Sequence, residues 1–349
     1  MTTNRAKKIA FAALAVAAAL VGAELILRAV TPPIDQNYSL KVYDGFLEGH
    51  TGHQADHDLF WRLTPGFRGV WDSTEIRVNQ LGLRGEDFPA YRVSGEFRLL
   101  SLGESGTFGV RTPEEQTYNA QLEALLNARG DGVRYRVMNA GVASYTSFQG
   151  RKYFEMEGRK LEPNVVLVYF GQNDNLPTYF EDKLTITNAF GLPTYGRGMT
   201  DAEIWRARHR AGDVRRGLMK SALYRNWAAF VLWIEHGVRG RPVEPTPRVP
   251  PEDRRENYQA IDRLAKGIGA RVLYLITPYF DQPVPLPDGF GPGSTHHVCD
   301  LWTGIRREGQ DYRELFSDDV HPTSLGHRLI AETIAECLAD QGLLPTTGE

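Results

Sequence analysis

The chain has 349 residues, 42% of them apolar and 24% charged, which suits a packed globular core and excludes a disordered or low-complexity protein. A formal net charge of −3 offers nucleic acid no global attraction, and there is neither an internal repeat nor a zinc-finger spacing. The length allows one large domain with attachments, or two domains.

Arg5, Lys7 and Lys8 precede an apolar run, Ile9 to Ala23, that Glu24 interrupts and Leu25-Ile26-Leu27 continues. That first run, as a helix, spans about 22 Å, short of a ~30 Å hydrocarbon core; extension through Val30 reaches about 33 Å. Two readings of residues 1–30 stand. The favoured one is an uncleaved signal anchor, because the apolar pattern persists past Glu24; the other is a signal peptide cleaved after Val21-Gly22-Ala23. Under either, the leading basic residues keep the amino terminus inside and put the body of the chain outside the cytoplasm. Thr31-Pro32-Pro33 ends the helix. Residues 31–95 are expected to form an N-terminal extension packed on the main domain, with Ile76-Arg77-Val78 its clearest alternation.

From residue 96 to 343, strands alternate with helices. Leu99-Leu100-Ser101-Leu102-Gly103 reads as a buried strand, followed at once by Glu104-Ser105-Gly106. Thr112-Pro113-Glu114-Glu115 offers a helix start, and Tyr118, Leu122, Leu125 and Leu126 share one helical face. Arg134–Met138 is a second strand, residues 147–160 a helix, and Val165–Phe170 a third strand. An insert at about 176–250 then breaks the rhythm. Its aromatics include Tyr179, Phe180, Phe190, Tyr195, Trp205, Tyr224 and Trp233. Leu223, Trp227, Phe230, Val231 and Ile234 lie at helical spacing, beside the arginines Arg206, Arg208, Arg210, Arg215 and Arg216. Core or cap packing and a solvated basic face are the plain readings; a lid or a membrane-facing surface is the functional one. Residues 241–251 form a proline-rich connector. A helix over 252–267, a strand over 271–277, a long loop over 278–300 and a helix over 325–338 complete the chain. This alternation predicts an α/β fold, a doubly wound parallel sheet with flanking helices.

Cys337 shares an apolar face with Ile330, Ile334 and Leu338 and reads as a buried thiol; outside the cytoplasm a disulfide with Cys299 is the alternative. His296 and His297 near Cys299 lack a fourth ligand at metal spacing and read as polar surface.

Ser105 stands just past the carboxyl end of a buried strand among glycines, where a sheet presents side chains to ligands. It is a candidate nucleophile. Asp318 and His321, three apart, place a carboxylate beside an imidazole, so His321 can act as base and Asp318 can orient it. Asp319 is the nearest rival for the acid. Asn139-Ala140-Gly141 and Gly171-Gln172-Asn173-Asp174 also follow apolar runs.

These four blocks, in this order from Phe97 to Leu343, resemble those of the SGNH (GDSL-type) hydrolase family. The resemblance implies an SGNH, flavodoxin-like fold and a Ser105–His321–Asp318 triad, its Asp-x-x-His spacing favouring Asp318. It implies an oxyanion hole made by the backbone N–H groups of Ser105 and Gly141 and the side-chain amide of Asn173, with no metal or organic cofactor required. Where the family usually has Gly-Asp-Ser, this chain has Gly103-Glu104-Ser105; the carboxylate sits one methylene further out. Thr107 closes the serine block, which is therefore not the Gly-x-Ser-x-Gly elbow of α/β-hydrolases. The expected function is a serine esterase acting outside the cytoplasm on an acyl ester, such as an O-acetyl group, of a carbohydrate or lipid, held to the membrane by its N-terminal helix or else secreted. An O-acyltransferase acting on an envelope carbohydrate and a non-catalytic binding protein on the same fold are the alternatives.

Overall fold

The computed structural model describes residues 2–30, 52–176, 200–210, 247–306 and 311–345, with scattered positions from 221 to 230. They fall into two compact units.

The smaller unit comprises Met1–Val42, Thr178–Met199 and Glu203–Thr246. Its long helix is α1 (Thr2–Val30), whose most apolar 18-residue window has mean hydropathy 2.3. Among the described residues this is the one helix long and apolar enough to cross a membrane, and no part of its most apolar window is buried, unlike a core helix. Glu24 is not an unmatched acid. Its carboxylate accepts from Ser221 Oγ (2.7 Å) and from the N–H groups of Ala222 (3.0 Å) and Leu223 (2.9 Å), capping the helical turn that follows, and it pairs with Arg28. Trp227 and Phe230 are exposed. The predicted insert residues Tyr179, Phe180, Phe190, Tyr195, Arg215, Arg216, Val231, Trp233 and Ile234 lie outside the described residues, as does the connector as far as 246.

The larger unit comprises Tyr43–Pro177, Thr200–Ala202 and Pro247–Glu349. Two antiparallel hairpins come first: β1 (His53–Asp56) with β2 (Phe60–Leu63), and β3 (Arg68–Trp71) with β4 (Thr74–Arg77). Then follow β5 (Glu96–Gly103), α2 (Ser105–Phe108), α3 (Tyr118–Asn127), β6 (Arg134–Gly141), α4 (Ser147–Met156), β7 (Val165–Tyr169) and α5 (Gln172–Asn175). The last stretch gives α6 (Pro251–Lys266), β8 (Arg271–Pro278), β9 (Pro283–Val284), β10 (His297–Asp300), α7 (Leu301–Gly304) and α8 (Ser324–Asp340). The main sheet runs β6-β5-β7-β8-β10, every pair parallel, with β9 added antiparallel to β8.

β5 and β7 are apolar on both faces because both are covered. Leu99, Val165, Leu167 and Leu273 face the layer of α3 and α8, while α4 and α6 pack together as another helix pair of the doubly wound sheet. The first strand of this sheet, β5, pairs with β6 on one side and β7 on the other, so the connections after β5 and β7 diverge. That divergence opens a crevice at their carboxyl ends, where Gly103 lies opposite both Gly141 and Tyr169.

Local details depart from the sequence reading. Glu114–Gln116 forms a separate 3-10 turn, and α3 starts only at Tyr118, where Thr117 Oγ1 caps it by accepting from Ala120 N–H (3.4 Å). Leu125, on the same predicted helical face as the buried Tyr118, Leu122 and Leu126, is 40% exposed. The long loop after β8 contains β9 and β10, too short to register as hydrophobic runs. Cys337 is not a free thiol: it is bonded to Cys299, tying α8 to the edge strand β10. His297 Nδ1 lies 3.2 Å from Gln341 Oε1, and His296 stacks on Phe290.

Residues 53–95 are bound into this same unit by buried contacts. Trp61 Nε1 donates to Ala143 O (3.1 Å), Tyr145 hydroxyl to Trp61 O (2.7 Å) and Gln149 Nε2 to Leu59 O (2.8 Å). Arg98, fully buried on β5, donates to the carbonyls of Pro89, Ala90, Tyr91 and Leu161 and pairs with Glu96. Five buried donors demand five acceptors, and the 89–91 strap supplies three of them.

Candidate active site

Ser105 opens α2 directly after β5. Gly103 must be glycine: a Cβ there would lie 2.0 Å from Thr107 Oγ1 and 3.0 Å from Tyr169 O, so no side chain fits between strand and turn. The N–H groups at the start of α2 have no partner within the helix, leaving Ser105 with an unspent donor as well as its hydroxyl. The other end of the turn is clamped. Arg84, buried, donates from Nη1 to Phe108 O and Gly109 O and from Nη2 to Thr112 O. Burial brings its guanidinium down to about 10, still charged at neutral pH, where it complements the carbonyl end of the turn.

Ser105 Oγ lies 3.0 Å from His321 Nε2, and His321 Nδ1 lies 2.8 Å from Asp318 Oδ2 and 3.0 Å from Oδ1. The Asp318–His321 juxtaposition arises in a bend rather than a helical turn. Ser317 N–H donates to His321 O (2.8 Å), Phe316 bridges Pro322, and Asp318 Oδ1 accepts from the N–H groups of Val320 (3.0 Å) and His321 (2.8 Å). Partial burial raises the Asp318 carboxyl, but donation from the His321 ring and these N–H groups outweighs it and holds the group at about 2. Asp319 meets Phe280 through its backbone carbonyl, and it is Asp318 that engages His321. His327, the second histidine of this block, is buried; burial lowers it to about 3, so its neutral Nδ1 accepts from Tyr118 N–H (3.2 Å).

Glu104 is buried behind Ser105. Its Oε1 accepts from the Tyr279 hydroxyl (2.5 Å) and its Oε2 from Asn173 N–H (3.2 Å) and Nδ2 (2.7 Å). Burial pushes this carboxyl up to about 7 against the pull of those donors. The extra methylene relative to aspartate reaches two partners on separate loops. Asn173 Nδ2 also donates to Tyr145 O (3.1 Å), and the next residue, Asp174, accepts from Ser147 N–H and pairs with Arg254.

Of the residues assigned to the site, Ser105, Asn173 and His321 border one cleft of about 360 Å³, and Asp318 stands behind His321. Gly141 does not border it. Its N–H is taken by Asn139 Oδ1 (3.0 Å), and a Cβ on it would lie 2.3 Å from Phe108 N; the glycine serves close packing of α2 on β6. The residues from this loop that reach the cleft are Ala143 and Ser144, the latter at φ +63°. The Trp61 indole holds Ala143 O, and a trans peptide points the Ser144 N–H the opposite way. Ser144 O is fixed in turn by Arg248 Nη1 (2.9 Å), itself paired in the interior with Asp201. Serine in a left-handed conformation leaves no mark in the sequence, so this position was not legible there. Trp71, Val110, Leu176, Tyr169 and Val320 give the cleft apolar walls.

At the carboxyl edge of a parallel sheet, then, a serine that follows the first strand meets a histidine and an acid from the loop before α8. A sequence profile of the GDSL-like Lipase/Acylhydrolase family matches residues 101–329, and the chain belongs to that family. Similar solved structures include a two-domain esterase (CEX) active on acetylated mannans, at 16% identity and TM-score 0.43, covering 73% of this chain and 51% of that one. The psychrotrophic esterase EstA from Pseudoalteromonas sp. has 13% identity and TM-score 0.39, covering 70% and 97%. A variant of Axe2, an acetyl xylan esterase from Geobacillus stearothermophilus, has 15% identity and TM-score 0.40, covering 72% and 96%. No curated protein matches the sequence.

Proposed function

We propose that the chain is a serine esterase acting on a short acyl ester outside the cytoplasm, with Ser105 as nucleophile, His321 as base and Asp318 as its orienting acid. The observation that carries the reading is the chain of contacts from Ser105 Oγ through His321 to Asp318, at 3.0 and 2.8 Å. Ser105 attacks the acyl carbon while His321 Nε2 takes its proton. His321 then returns the proton to the leaving alcohol, and water repeats the sequence on the acyl-enzyme. The oxyanion is met by the N–H groups of Ser105 and Ser144 and by Asn173 Nδ2, which turns from Tyr145 O or Glu104 as the charge develops.

The outside location is supported by the exposed apolar α1, by the basic residues ahead of it and by the Cys299–Cys337 bond, which persists in oxidising compartments. In domain terms, we propose a membrane helix over residues 1–30, an N-terminal extension over 31–95 and a catalytic domain over 96–343 with an insert at about 176–250. Hydrolysis of a p-nitrophenyl ester series by the wild-type chain and by Ser105→Ala tests the reading. Turnover that falls with acyl length and vanishes in the variant is expected; turnover that survives in the variant overturns it.

A further inference from the structure

The hairpin of β3 and β4 precedes the region shared with the family, residues 101–329, yet it reaches the cleft, where Trp71 and Asp72 form part of the wall. Its turn consists of Asp72 and Ser73, at φ +49° and +64°; two consecutive left-handed residues make a tight turn that fixes the direction of the Asp72 side chain. The Asp72 carboxylate accepts from Arg111 Nε. Arg111 Nη1 in turn donates to Asp318 Oδ2 at 2.7 Å. Arg111 is itself left-handed, at φ +61°, a conformation an arginine keeps only where its surroundings determine it.

Asp318 needs such a partner. Its Oδ1 is held by two backbone N–H groups, but its Oδ2, the oxygen nearest to His321 Nδ1, meets no backbone donor. The side chain is 36% exposed, so water competes for that oxygen. Arg111 is 44% exposed, and alone it would share the freedom of a surface arginine; the second contact, to Asp72, removes that freedom.

We propose that Asp72 and Arg111 form a positioning pair for the acid of the triad: Asp72 fixes the guanidinium, and the guanidinium fixes Oδ2 of Asp318. The hairpin is then part of the catalytic machinery rather than an appendage. The inference rests on the triad reading above.

The test is steady-state hydrolysis of p-nitrophenyl acetate by the full-length chain and its variants Ser105→Ala, Arg111→Met, Arg111→Lys, Asp72→Asn and the Arg111→Met/Asp72→Asn double. Arg111→Met is expected to lower kcat about 10- to 100-fold with KM within about threefold, and Arg111→Lys to recover part of the loss. Asp72→Asn, which keeps its size, is expected to lower kcat about 3- to 10-fold and to add nothing in the Arg111→Met background, because Asp72 acts through Arg111. Full kcat in Arg111→Met, a loss confined to KM, or losses that multiply in the double variant would each overturn the pairing. Turnover surviving in Ser105→Ala would instead overturn the triad reading on which it rests.

Discussion

Glu104→Gln isolates a buried ionisation. Glu104 is enclosed between Tyr279, Asn173 and the start of α2, and its carboxyl stands near 7 rather than at the ordinary 4.5, chiefly because burial disfavours its charge. The folded chain therefore keeps this proton over a range in which the unfolded chain has released it. The stability associated with neutral Glu104 is complete below about pH 4.5 and is lost as pH rises through about 7. At about 1.4 kcal/mol per pH unit, the full loss is about 3 kcal/mol. Glutamine keeps the shape and an acceptor for Asn173 but does not titrate. Denaturant unfolding of both proteins from pH 4.5 to 8.5 should show the variant gaining about 3 kcal/mol relative to wild type across that range. Parallel curves, or a wild type that gains on the variant as pH rises, would refute the argument.

Four further outcomes follow from the geometry. Asn173→Ala should raise the barrier by about 3 kcal/mol, read as roughly a hundredfold fall in kcat for p-nitrophenyl acetate with little change in KM. Gly141→Ala should destabilise the whole unit, because its Cβ meets Phe108 N at 2.3 Å, and denaturant melting should reveal this before any selective kinetic defect. Ser144→Gly should keep activity, since the N–H remains, and should gain up to about 1 kcal/mol in stability by relieving a left-handed serine; an inactive but folded variant would remove Ser144 N–H from the oxyanion hole. Reduction of Cys299–Cys337, or its replacement by two serines, should cost about 4 kcal/mol for a 38-residue separation, seen as a lower unfolding midpoint.

The sheet was legible because its central strands are mostly apolar runs soon closed by glycine, Gly103 at the end of Leu99–Gly103 and Gly171 just after Val165–Tyr169. Ser105, Asp318 and His321 were legible because short motifs carry them and the strand ends bring their loops to one edge. Gly141 drew attention as a glycine after an apolar run, and its lack of a side chain serves packing against Phe108. Ser144 is placed by its φ of +63° and by the grip of Trp61 on the adjoining carbonyl, a partner 82 residues distant from Ala143 that no local pattern announces. Arg111, Asp72 and Tyr279 likewise act through tertiary contacts between segments with no shared motif. The disulfide remained one of two readings in the sequence because pairing depends on β10, a strand of four residues lying within a loop rich in proline and glycine.

The role of Ser105 as nucleophile is tested most directly by treating the folded full-length chain with a fluorophosphonate and mapping the adduct by peptide mass spectrometry. A single phosphonylated peptide carrying the label on Ser105 is expected, with labelling lost in Ser105→Ala and slowed at least a hundredfold in His321→Ala, because the base is needed to activate the hydroxyl. No adduct on folded protein, or an adduct on another serine that persists in Ser105→Ala, would contradict it.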